Sequence, residues 1–126
     1  MDTWENMSRS SLLAAKQLFN EGNYRSSISR SYYAACCAAT FELNQRKSNY
    51  PNDRNNPPHA MISQYIVSTS SRRRNLKYKL RKSFNTLLRS RIIADYIPLG
   101  HIDQTLALNC LRFAGQVQFE FLGETT

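Results

Sequence analysis

Three of the four prolines in this 126-residue chain fall between Pro51 and Pro58, and there are only 4 glycines. Proline removes a helix-bonding N–H and clashes with the preceding turn, and glycine adds backbone freedom, so these two residues most reliably interrupt a helix. Outside that short tract the chain is free to form long, unbroken helices. β-branched residues are scattered and no segment alternates with period two, which leaves little to build a sheet from. The length fits one domain, residues 1–126, around a single core.

Apolar periodicity then divides the chain. A helix is expected over 3–21, carried by Trp4, Met7, Ala14, Ala15 and Leu18 and stopped by Gly22-Asn23. A second, over 24–44, presents Tyr24, Ile28, Tyr32, Ala35, Cys36, Ala39 and Leu43. The short turn between them predicts an antiparallel hairpin. A polar stretch of about 45–58 reads as a mobile loop. A short third helix starts near Pro58 and carries Met61, Ile62, Tyr65 and Ile66, and the serines after it offer N-caps for the next helix. The fourth, over 71–96, places Leu76, Leu80, Phe84, Leu87 and Ala94 within an arc of about 80°. Arg91 lies near the middle of that apolar arc. A fifth, over 102–122, turns Ile102, Leu106, Cys110, Phe113, Val117 and Phe121 inward. The fold class is all-α, an antiparallel bundle of four to five helices.

Several function classes have little support. No apolar run approaches the roughly 18 residues that cross a bilayer. The first residues carry Asp2 and Glu5 rather than a basic region followed by an apolar one, so no signal peptide is expected and the protein reads as cytoplasmic. Three cysteines, two of them adjacent, suit buried packing better than disulfides. With two histidines and no CxxC pair, neither a metal nor a cofactor is expected.

Charge points to a partner. The net charge is +8, nine of the 17 basic residues lie between Arg72 and Arg91, and no acidic residue occurs from Arg54 to Ala94. A block of this kind attracts phosphates, anionic lipid or an acidic protein surface, and otherwise serves as a solvated face. Arg72, Arg73, Arg74, Lys77 and Arg81 are the candidate RNA-binding residues.

Three patterns resemble one family. The run Arg30-Ser31-Tyr32-Tyr33-Ala34-Ala35 in the second helix resembles the Tyr-Tyr-Ala helix of HEPN proteins, the nucleotide-binding family of prokaryotes and higher eukaryotes. His59 opens a short helix after a polar loop. Arg91-Ile92-Ile93-Ala94-Asp95-Tyr96 is similar to the R-x-x-A-D-Y motif of a prokaryotic HEPN subgroup. The resemblance implies a HEPN-like bundle that homodimerises, in a family many of whose members are metal-independent ribonucleases of toxin–antitoxin pairs or antiviral defence. Their motif is an Arg followed, four to six residues on, by a His. Arg91 matches the Arg, but Tyr96 stands five residues on, and the nearest histidine is His101.

Metal-free RNA cleavage needs a base for the 2′-hydroxyl and a cation for the phosphorane. A histidine exchanges protons near neutrality and an unperturbed tyrosine, with a pKa near 10, does not. Arg91 can grip phosphate, with Tyr96 or His101 as candidate catalytic partners. The alternative for Arg91 is an ion pair with Asp95, four residues on along the helix. For His59 a hydrogen-bonding role at a helix start, and for Tyr32 and Tyr33 a place in core or interface, are the plainer expectations. The ranking that follows puts first a HEPN-type RNA-associated binding protein of a toxin–antitoxin or defence system, without efficient catalysis. A ribonuclease toxin comes second and an adaptor for an acidic partner, such as a cognate antitoxin, third. The small residues from Ala34 to Ala39, together with Arg91, suggest a dimer seam along the second and fourth helices.

Overall fold

The computed structural model describes residues 3–46, 50–51, 56–69 and 72–123. These form five α-helices and no strand: α1 (Trp4–Asn20), α2 (Tyr24–Gln45), α3 (Ile62–Thr69), α4 (Arg74–Tyr96) and α5 (Gln104–Leu122). A 3-10 turn, His59–Met61, leads into α3. The all-α class and the helix count agree with the sequence pattern. Residues 47–49 and 52–55, half of the expected mobile loop, lie outside the described residues.

The helix ends have local causes. Thr3 caps α1, its hydroxyl accepting from the Asn6 N–H at 3.1 Å. At the other end Gly22 adopts φ +81°, and the Gly22 and Asn23 N–H groups donate back to Phe19 and Leu18. That pair of bonds satisfies carbonyls the helix leaves open, and glycine takes the left-handed conformation without steric cost. Asp103 caps α5 by accepting from the Leu106 N–H at 2.8 Å. The expected serine cap of α4 is not its cap among the described residues: Arg73 holds the N-cap position, with no side-chain cap bond, and Ser70 and Ser71 lie outside them.

The C-terminus of α4 is held by a residue the sequence pattern passed over. Arg25, on α2, donates from Nη1 to the carbonyls of Ile93, Ala94 and Ile97 at 2.9 to 3.1 Å. From Nη2 it donates to Pro98 and Gly100 at 2.9 and 3.0 Å. Of these carbonyls, those of Ile93 and Ile97 also accept the Ile97 and Gly100 N–H groups, and a cation at the negative end of the helix is favourable for all of them. The turn closes tightly around it, and a Cβ on Gly100 would come within 2.5 Å of Ile93 Cγ2.

The central helix is α2, which packs against α1, α5 and α4, while α3 packs on α4. From Ala34 to Thr40 it is buried all round. The small side chains let neighbouring helices approach on several sides at once, which overturns the expected dimer seam, because Ala34 to Ala39 are already covered within the chain. In α1 the buried face is Ser8, Ser11, Leu12 and Ala15, with Trp4, Met7, Ala14 and Leu18 only half-buried. Serine can face inward there because its hydroxyl finds a carbonyl. Ser8 Oγ donates to Ala34 O at 2.7 Å and accepts from Gln118 Nε2 at 3.0 Å, joining α1, α2 and α5. Ser27 Oγ donates to Ala15 O at 2.8 Å. Buried polar groups paired in this way cost little and fix the helix register.

The three cysteines are unpaired and buried, as their spacing suggested. No described helix is long and apolar enough to cross a membrane.

Candidate functional site

The last turns of α4, the middle of α2 and the 3-10 turn before α3 meet around Arg91. Its Nε donates to Asp95 Oδ2 at 3.0 Å and its Nη2 to the Tyr96 hydroxyl at 3.3 Å. Asp95 also accepts from Ser29 Oγ at 3.1 Å, which ties the pair to α2. The guanidinium lies against two rings, with Cζ 5.6 Å from the centre of Tyr32 and 5.1 Å from that of Tyr96. Positions four and five residues apart reach one another on a helix, so Arg91, Asp95 and Tyr96 assemble from local spacing alone. The arrangement is open to solvent: the side chains of Arg91 and Asp95 are each 27% exposed. Two of the five guanidinium N–H donors are engaged among the described residues.

Tyr32 forms the inner wall. Its hydroxyl is buried with no well-directed hydrogen bond among the described residues. Burial, and then the neighbouring Cys36 thiol, push its pKa far above the ordinary phenol value, against a smaller opposing pull from Arg91. Burial likewise pushes the Cys36 thiol up to about 12. Both groups therefore stay neutral near pH 7, and Tyr32 serves as a cation–π surface rather than a base.

Of the two histidines, His101 does not join the cluster. It is exposed, and its Nε2 meets Asp103 Oδ2 at 2.9 Å beside the start of α5. The carboxylate that caps α5 claims the imidazole first. Asp103 is itself held below the usual carboxylate range, by the Leu106 N–H first and then by His101. His59 sets its ring edge-on to Tyr32, at 5.4 Å between centres. Arg91 and His59 thus touch the same aromatic ring.

The basic block divides in two. Arg72 is engaged within the fold as a staple. Its Nη1 pairs with Glu42 Oε2 at 2.7 Å, its Nη2 donates to Glu120 O at 2.7 Å, and its Cζ stands 4.8 Å from the centre of Phe121. It fastens the start of α4 to α2 and α5. Arg73, Arg74 and Arg81 are exposed and Lys77 is half-buried, and among the described residues none of the four meets a carboxylate. No cluster of metal-ligating side chains occurs among the described residues.

Comparison with protein-family models, curated proteins and solved structures finds no match to the chain.

Proposed function

We propose that the chain is a HEPN-type RNA-associated protein, acting in the cytoplasm within a toxin–antitoxin or antiviral setting and binding RNA without cleaving it efficiently. The observation that carries this is the Arg91 cluster. A solvent-accessible guanidinium, oriented by Asp95 and Tyr96 and backed by two aromatic rings, can grip a phosphate. The unpaired cations of α4 supply the field that draws a polyanion to it. Among the described residues no imidazole hydrogen-bonds Arg91, which favours binding over cleavage. A second copy closes against the exposed apolar surface of Ile97 and Leu99 beside the cluster.

One observation favours a second function, a metal-independent ribonuclease. His59 shares the Tyr32 ring with Arg91, which gives it a better position than His101 for the base. In that chemistry His59 takes the 2′-hydroxyl proton and Arg91 stabilises the charged phosphorane.

Incubation with labelled RNA separates the two. The binding function predicts retained, uncut RNA. Cleavage by the parent that disappears in a folded Arg91→Ala protein, and in His59→Ala, would establish the ribonuclease instead.

A further inference from the structure

The outward side of α4 carries a feature that the Arg91 cluster does not use. At about 100° per residue, Arg74, Tyr78, Arg81, Lys82, Asn85 and Arg89 fall within an arc of about 100°, opposite the buried Leu80 and Leu87. Tyr78 is 45% exposed. Arg74, Arg81, Lys82 and Arg89 are exposed, and among the described residues none of them pairs with a carboxylate. Tyr78, Arg81, Lys82, Asn85 and Arg89 line an open concavity of about 440 Å³. The Arg74 guanidinium stands over the Tyr78 ring, with Cζ 5.7 Å from its centre.

Solubility alone explains the cations but not an exposed ring in their midst. Together they match the alternation of a single-stranded nucleic acid: a π-face on which a base stacks, with cations spaced to neutralise the phosphates on either side. We propose that this face of α4 is an exosite for single-stranded RNA. Tyr78 stacks a base, while Arg81, Lys82 and Arg89 hold the adjoining phosphates. The proposal rests on the RNA-associated function above and gives it a location and a strand preference.

The same face continues over Ile92 to Tyr96, whose hydroxyl meets Arg91. From Tyr78 to Tyr96 the helix rises about 27 Å, a span on the order of four nucleotides. A strand laid along α4 therefore leads to the Arg91 cluster. Duplex RNA fits poorly, because its bases are stacked away and its deep, narrow major groove does not admit a helix.

The test is fluorescence anisotropy of the full-length protein with a labelled 12-nucleotide oligoadenylate, a hairpin duplex of equal length, and three variants, across a salt series. The exosite predicts tighter binding of the single strand than of the duplex. Tyr78→Leu weakens single-strand binding by roughly five- to 150-fold with its salt slope unchanged, and Tyr78→Phe keeps it. Arg81→Gln, Lys82→Gln and Arg89→Gln together reduce the slope by roughly 0.7 for each phosphate that is no longer neutralised. Circular dichroism checks that each variant is folded; these side chains are exposed, so folding should be kept. If the parent binds single strands and both sets of substitutions leave binding untouched, the exosite is wrong and the broader RNA function stands. Equal binding of the duplex, or displacement of the RNA by polyglutamate or anionic vesicles at equal charge concentration, would also overturn it. If the parent binds no RNA at all, the function itself fails and the exosite with it.

Discussion

Arg91 and Asp95 lie one turn apart on α4, and their side chains are each 27% exposed. An ion pair that water can reach contributes little to stability. Arg91→Ala is therefore expected to cost about 1 kcal/mol or less in a urea titration. A loss of on the order of 3 kcal/mol would mean a carboxylate stranded in the core. Replacing both partners, Arg91→Met with Asp95→Leu, should leave the midpoint nearly unchanged. The pair was legible in the sequence because four-residue spacing is a local property. Its aromatic walls were legible only in part: Tyr96 follows from spacing, but Tyr32 is brought by another helix. The pairing of Arg72 was missed for the same reason. Its partners Glu42 and Glu120 lie 30 and 48 residues away, and a run of arginines says nothing about which member finds a distant carboxylate.

At the scale of the element, the end of α1 was readable from Gly22, which acts on its own backbone, whereas the Asp103 cap that starts α5 was passed over. The end of α4 at Tyr96 was read correctly as well, but what holds it was not, because that cap comes from α2. Arg25 donates five hydrogen bonds to carbonyls from Ile93 to Gly100. Removing it leaves the carbonyls of Ala94, Pro98 and Gly100 without that donor and loosens the turn that follows Tyr96. Arg25→Ala should cost about 2–3 kcal/mol, and Arg25→Lys should recover less than half of that, because one ammonium cannot reproduce a planar fork. Thermal unfolding of the three proteins measures both, and a neutral Arg25→Ala would show that the carbonyls are equally well served by solvent. The inward face of α1 was misplaced because hydropathy gives no credit to serine. Ser8 and Ser27 are buried through their hydrogen bonds to Ala34 and Ala15, a fact of packing rather than of periodicity.

For the whole molecule, the all-α class followed from the confinement of most prolines to one tract, whereas the centrality of α2 did not. Its small residues read both as a place where another helix comes close and as a surface for a second copy, and the helices that close on them belong to the same chain. The bundle also carries an acid-sensitive clamp. Burial would raise the pKa of Glu42, but hydrogen bonds from Arg72 and Arg46 outweigh it and hold the carboxyl below its ordinary value. A depressed carboxylate pKa means the clamp is complete above the unfolded value, near 4.3, and is lost as pH falls through the folded one. The melting temperature should therefore drop in acid below about pH 4, and Glu42→Gln should flatten that drop while lowering stability at pH 7. An unchanged acid limb in Glu42→Gln would assign the loss to other groups.

The central claim is that the Arg91 cluster receives a phosphate of RNA, and the most direct test is the affinity of Arg91→Ala for a labelled single-stranded RNA, set beside the parent in the same buffer. A charge-assisted guanidinium–phosphate contact is worth about 1.5–3 kcal/mol, so the variant, still folded, should bind roughly 10- to 150-fold more weakly. Equal affinity in the two proteins would contradict the account, leaving Arg91 as a partner of Asp95 and nothing more.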